Sequence, residues 1–98
     1  MFVKVHKSHD GRAVIALCDS NLLGKKFEQG NLQLDLTSEF YNGEEKSKEE
    51  ILKLLRQPCH VNAVGKESIN FLKEKGLISK ENIITIADIP HVEVVLVE

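Results

Sequence analysis

The chain is poor in cysteine, proline and aromatic residues. Its 98 residues include two cysteines, two prolines, one tyrosine and no tryptophan. Two cysteines, Cys18 and Cys59, are too few for a disulfide framework, so we expect free thiols in a reducing compartment. No apolar run approaches the roughly 18 residues that cross a bilayer, and the residues after Met1 show no leader-like apolar segment. The sequence therefore predicts a cytoplasmic protein without a membrane partner.

Neither sign of charge is in excess. Lysine and arginine total 13 against 15 acidic residues, which gives a net charge of -2 and a pI near 6.1. No global basic field attracts nucleic acid, so any such partner would have to bind a local basic patch. The 42% hydrophobic and 29% charged fractions are those of an ordinary globular protein. We expect one domain that spans residues 1–98.

The first third of the chain reads as strands. Residues 2–7 alternate, and Asp10-Gly11 follows as the signal for a type I′ hairpin turn. Residues 12–19 include a run that is apolar on both faces, as in a covered central strand. Residues 32–37 alternate leucine with polar residues, which predicts a strand with one exposed face. Together these segments predict an N-terminal antiparallel β-meander.

Two helices and two further strands follow. Ser47 and Glu50 form a capping box in front of an apolar helical stripe that Pro58 ends. A second helix is predicted over 66–75, with Gly76 beyond its end. Residues 60–64 fit either a short strand or the start of that helix. The β-branched runs 83–86 and 92–97 predict strands separated by 87–91. The fold class is therefore α+β, with the two C-terminal strands in a mixed sheet.

The polar segment that follows the predicted central strand is the principal candidate for a functional site. Residues 18–30 form a connection of varied chemistry, longer than most in a chain this small. Neither Gly24-Lys25 nor Gly65-Lys66 has the glycine five positions upstream, or the Ser or Thr downstream, of a nucleotide-binding P-loop. Gly65 and Lys66 could open a helix whose free amides receive an anion. Simple helix initiation is the favoured interpretation.

Metal binding and thiol catalysis are weakly indicated. Cys18, Cys59, His60 and His91 lack the short paired spacing of structural zinc ligands, so we expect no metal and no cofactor. Cys18-Asp19 with His91 is the most plausible catalytic set. A carboxylate beside a thiol raises its pKa, however, which opposes a reactive thiolate. The chain is therefore more readily interpreted as a non-enzyme.

RNA recognition needs basic side chains and an aromatic ring on one surface. The sequence offers such residues in three places: His6, Lys7, His9 and Arg12 around the first hairpin, Lys25 and Lys26, and Phe40-Tyr41. Each alone is ordinary for a solvated rim or a core aromatic. As a set they favour contact with RNA or a ribonucleoprotein.

Five short segments resemble one known family in the same order along the chain. They are 16–19, 22–27, 40–43, Asn62-Ala63-Val64-Gly65 and Ile89-Pro90-His91. They resemble the archaeal domain-of-unknown-function family number 424. The resemblance implies a small, single-domain archaeal cytoplasmic protein, and it supplies no catalytic residues. It adds interest to the segment ending at Gly65 as part of the same surface.

The first functional hypothesis is a non-enzymatic module that contacts RNA or a translation-related partner through the 19–30 loop. Lys25 and Lys26 would contact phosphate, while Gly24 lets the backbone approach closely. The alternative is a small-molecule or enzymatic site where that loop meets Asn62, Gly65 and His91. The predicted site residues are Asp19, Gly24, Lys25, Lys26, Asn62, Gly65 and His91. A homodimer through residues 92–97 is a further expectation, because that apolar strand needs covering.

Overall fold

A computed structural model describes residues 1–97, and its centre is a six-stranded mixed sheet. The elements are β1 (Phe2–Lys7), β2 (Ala13–Cys18), β3 (Lys26–Gln29), β4 (Leu32–Asp35), β5 (Glu44–Glu45), α1 (Lys48–Leu54), β6 (Cys59–Val64), α2 (Lys66–Glu74), a 3-10 turn (Lys80–Asn82), β7 (Ile83–Ile86) and β8 (Ile89–Leu96). The strand order is β5-β1-β2-β6-β8-β7, with β3 and β4 in a separate two-stranded sheet. The predicted α+β class is confirmed.

Each face of the main sheet carries its own hydrophobic cluster. On the helical face, α1 and α2 pack through residues such as Ile51 and Phe71 against Ile15, Leu17 and Val61. On the opposite face, called the second face below, the β3–β4 unit and the segment after it cover part of the sheet. That cluster contains Ala16, Cys18, Leu22, Leu34, Leu36, Tyr41, Val64 and Ile86. Strand β2 is therefore covered on both sides, as its apolar run predicts.

The third predicted strand pairs differently from a simple meander. Strand β4 pairs with β3, Phe27 opposite Leu34, and not with β2. Leu34 is buried because the small sheet packs on the second face. Strand β3 carries little sequence signal, because Phe27 is the only apolar residue of its four. Part of the predicted 19–30 loop is therefore a strand.

The lengths of two hairpin connections differ from the sequence prediction. Lys7 pairs with Ala13, so residues 8–12 form a five-residue loop at Asp10-Gly11, and not a two-residue turn. The two-residue turn lies at Ala87-Asp88, where both φ angles are positive, as in type I′. The Ala87 amide also donates to Gln29 Oε1 at 2.6 Å. Strand β8 consequently begins at Ile89.

The helix boundaries follow the sequence signals. The Glu50 amide donates to Ser47 Oγ at 3.2 Å, and the Ser47 amide donates to Glu50 Oε1 at 3.2 Å, which confirms the capping box. At the end of α2, Gly76 has a φ of +71° and the Leu77 amide donates to the Leu72 carbonyl at 3.0 Å. This is a Schellman motif. Residues 60–64, whose sequence fits either a strand or a helix start, belong to strand β6, which pairs in parallel with β2. No helix within residues 1–97 is long and apolar enough to cross a membrane.

Candidate functional site

Asp19 caps helix α2 from a distant point in the sequence. It follows β2 and is 6% exposed. Its carboxylate accepts hydrogen bonds from the Ser68 amide at 2.7 Å, the Ser68 hydroxyl at 2.7 Å and the Glu67 amide at 3.0 Å. These are donors that a helix N-terminus leaves unpaired, and a negative charge there is favoured by the helix dipole. The anion at the start of α2 is therefore supplied by the protein itself.

Gly65 makes this contact sterically possible. It precedes α2 with a φ of +109°, and its amide donates to the Pro90 carbonyl at 2.9 Å. A Cβ on Gly65 would stand 2.2 Å from Asp19 Cγ, well inside van der Waals contact. The structure therefore brings two predicted site residues, Asp19 and Gly65, into direct contact. Their contact fastens α2 to the end of β2.

The turn at Gly24 is open to solvent. Gly24 has a φ of +85°, and no atom lies within 4 Å of the place where its Cβ would stand. Its amide donates to the Leu36 carbonyl at 2.8 Å, which fixes the turn on the β3–β4 unit. Lys25 is exposed and has no ion-pair partner within residues 1–97. Lys26 Nζ lies 3.6 Å from Glu28 Oε1. The charge of Lys25 is therefore less compensated by acidic neighbours than the charge of Lys26.

Asn62 and His91 lie on the second face, on the adjacent strands β6 and β8. Asn62 pairs with Glu93, and His91 pairs with Val64. His91 is 8% exposed, and its Nδ1 has no hydrogen-bond partner in the described chain. Burial lowers the pKa of His91, while the nearby Glu93 carboxylate acts in the opposite direction. Burial thus favours the neutral form of the His91 imidazole.

The predicted site residues do not all line one cavity. A small groove beside Asp19 is lined by Asn21, Leu22, Lys66 and Ile89 as well. Neither Lys25 nor His91 lines that groove. The alternative hypothesis, in which the 19–30 segment meets Asn62, Gly65 and His91, therefore has direct geometric support only at the contact between Asp19 and Gly65.

The two thiols are poorly suited to nucleophilic catalysis. Burial, together with the charge of Asp19, raises the pKa of Cys18 to about 12. Cys18 Sγ donates to the Asp19 carbonyl at 3.4 Å. Burial also raises the pKa of Cys59. Both thiols remain protonated at neutral pH, whereas a nucleophile must be a thiolate. Among residues 1–97 no group of three His, Cys, Asp or Glu side chains could hold a metal ion.

The basic and aromatic residues fall into two regions. His6 stacks on Phe40 with ring centroids 4.7 Å apart, and Phe40 meets Tyr41 edge to face at 4.9 Å. His6 lies near the hairpin end of β1, as does Arg12 on the adjoining loop. Lys25 is linked by successive turns to Asp19, at the other end of β2. The segment around Lys25 and the first hairpin are therefore separate candidate contacts.

A second polar region combines the predicted site residue Asn62 with residues outside the predicted set. His60, Asn62, Glu93 and Val95 line a groove on the second face that the β3–β4 unit leaves open. The signal was the alternation in β6, where His60 and Asn62 lie between buried Cys59, Val61 and Ala63. Because 60–64 also fitted a helix start, that alternation could not be assigned to a face.

These features define a class of small α+β protein in which a buried aspartate fastens a helix to the end of a mixed sheet. The chain belongs to the family described as protein of unknown function (DUF424), whose model matches residues 6–97. This confirms the resemblance found in the sequence. The chain is also similar to a crystal structure of an uncharacterized conserved protein from Methanopyrus kandleri, with a TM-score of 0.77 and 23% identity over 96% of this chain and 89% of that one. That likeness shows the fold. No curated protein matches the chain significantly.

Proposed function

We propose that the chain is a non-enzymatic cytoplasmic binding protein that contacts RNA, alone or within a ribonucleoprotein of translation, through residues 19–30. The observation that carries this proposal is the open turn at Gly24-Lys25. Its backbone is unobstructed on the outside, and the Lys25 ammonium beside it is exposed. A phosphate can approach such a turn closely, and lysine supplies the charge that phosphate contacts require.

Neighbouring groups favour binding over catalysis. Asp19 uses its carboxylate to cap α2, so it is not available as a general base. The pKa of both thiols is raised, as described above. Exposed polar side chains such as Asn31 and Gln33 continue the β3–β4 surface from Lys25 toward the opposite end of the hairpin. The small-molecule alternative depends on the unpartnered Nδ1 of His91, which lies deeper in the sheet.

Charge reversal at the turn tests the proposal. We expect the Lys25→Glu/Lys26→Glu double variant to bind single-stranded RNA at least about tenfold more weakly at low salt, because two phosphate contacts are replaced by repulsion. The measurement is fluorescence anisotropy with a labelled RNA oligonucleotide. The matched control is Lys48→Glu/Lys75→Glu, which makes the same charge change on the helical face, where both lysines line one shallow groove.

Two outcomes would overturn this assignment. One is an RNA affinity that is unchanged by reversal at Lys25 and Lys26. The other is an equal loss in the Lys48 and Lys75 control, since that would report net charge and not a local site. Circular dichroism of both variants checks that the fold is retained.

We also propose that the outer edge of β8 pairs with a second copy of the chain. Strand β7 covers β8 only as far as Val92, so the outer side of residues 93–96 has no strand partner within residues 1–97. Val95 and Val97 are 53% and 76% exposed beside this edge. Antiparallel pairing centred on Val95 would place Glu93 opposite Val97, so carboxylates would not face each other. Unpaired strand edges readily add another strand.

Analytical ultracentrifugation tests the dimer. We expect a concentration-dependent dimer at micromolar to millimolar protein, and a monomer for Val95→Lys, because a lysine on an edge strand opposes pairing. The wild type sedimenting as a monomer over that whole range would contradict the proposal.

A further inference from the structure

The groove on the second face is lined by the amide of Asn62, the carboxylate of Glu93 and the imidazole of His60. Its volume is roughly 230 Å³. Asn62 lies directly opposite Glu93 in the register of β6 and β8, and His60 lies directly opposite Val95. Opposed residues on one face of a sheet have Cβ atoms about 5 Å apart. The groove therefore presents two adjacent rows, one polar and one made of an imidazole ring and a valine.

The polar groups of the groove are available to a ligand. The Glu93 side chain is 70% exposed, and the neighbouring His91 Nε2 lies 3.8 Å from Glu93 Oε1, which is beyond hydrogen-bonding distance. Burial raises the pKa of Tyr41, and the Glu93 charge acts in the same direction. Asn62 and His60 are half-buried, so their positions are fixed by the sheet.

We propose that this groove binds a guanine base of single-stranded RNA. The Watson–Crick edge of guanine carries two neighbouring N–H donors, at N1 and N2, followed by the O6 acceptor. The two oxygens of Glu93 can accept the pair of donors, and the Asn62 amide can donate to O6. The face of the base would lie against His60 and Val95, since imidazole rings stack on bases. Adenine presents an unprotonated N1 to the carboxylate and is disfavoured.

The assignment depends on the proposed RNA-binding function and gives it a base preference. A carboxylate repels phosphate, so the backbone of a bound strand cannot occupy this groove and a base edge must face Glu93. Phosphate would instead be held at the Gly24-Lys25 turn. The same guanine edge also belongs to free guanine nucleotides, so the experiment separates the two sources.

The experiment compares a uridine octamer that carries one central guanine with the same octamer carrying adenine. It is done at pH 8, where His91 is neutral. We expect the wild type to bind the guanine oligonucleotide about tenfold more tightly, in the range of a good two-hydrogen-bond contact to a base. Glu93→Gln should lose that preference, while its affinity for the adenine oligonucleotide changes less than about twofold. Glu74→Gln, an exposed carboxylate on α2, is the matched control and should keep the preference.

A second arm titrates GMP and AMP into the protein and follows backbone amide shifts by NMR. RNA binding without a guanine preference, or a preference that survives in Glu93→Gln, overturns the groove assignment and leaves the proposed function intact. GMP binding at β6 and β8 without RNA binding overturns the proposed function and supports a groove for the free nucleotide. Binding of neither RNA nor GMP overturns both.

Discussion

Asp19→Ala is expected to lower the free energy of unfolding by about 3 kcal/mol. The substitution removes three hydrogen bonds to a charged acceptor and leaves the buried Ser68 amide and the part-buried Glu67 amide without it. Hydrogen bonds to a charged group contribute about 1.5–3 kcal/mol each, and the effects of neighbouring bonds are not additive. The measurement is urea denaturation followed by circular dichroism.

Two companion variants make this prediction specific. Asp10→Ala removes a carboxylate that accepts from the Arg12 amide in an exposed loop, so its cost should stay below about 1 kcal/mol. Ser68→Ala removes one of the three bonds to Asp19 and should cost about 1 kcal/mol. If Asp19→Ala were no more destabilising than Asp10→Ala, the cap on α2 would not stabilise the fold.

Gly65→Ala is the second substitution with a large expected effect. It should cost at least about 3 kcal/mol, because it combines an unfavourable φ of +109° with a Cβ placed 2.2 Å from Asp19 Cγ. The same denaturation experiment measures it. Gly24→Ala is the matched control: its φ of +85° is comparable, but nothing lies near its Cβ position. It should cost about 1 kcal/mol through backbone strain alone.

A double variant separates the two causes. In Asp19→Ala/Gly65→Ala the carboxylate that the new Cβ would meet is absent. The combined cost should therefore be lower than the sum of the single costs by about 1–2 kcal/mol. Strict additivity would mean that the close approach of Asp19 and Gly65 is not what requires a glycine. If Gly65→Ala alone does not fold, the stability of the double variant relative to Asp19→Ala gives the same answer.

The signals that succeeded in the sequence were local ones. The capping box at Ser47 and Glu50, the glycine after α2 and the apolar run of β2 each depend on residues a few positions apart. The partner of Asp19 lies 49 residues away in Ser68, so no spacing pattern could show it. Asp19 was predicted as a binding residue, and the structure shows that its carboxylate binds the protein's own helix.

The strands that were missed have a physical explanation as well. Strand β3 has Phe27 as its only apolar residue because the rest of it faces solvent, and strand β5 is two glutamates paired at the edge of the sheet. Neither carries the alternation from which strands are predicted. The groove at Asn62 and Glu93 required the register between β6 and β8, which only the tertiary fold determines. The lysines at the Gly24 turn could be proposed as site residues because charge beside glycine is visible locally in the sequence.

The salt dependence of RNA binding tests the central claim, that residues 19–30 hold RNA through phosphate contacts, most directly. Each phosphate contact to a single strand contributes about -0.7 to the slope of log K against log salt concentration. The wild type should therefore bind single-stranded RNA with a slope at least as steep as about -1.4, and Lys25→Glu/Lys26→Glu should reduce the steepness by about 1.4. A slope that is the same in both proteins, or no RNA binding even at low salt, would contradict the account.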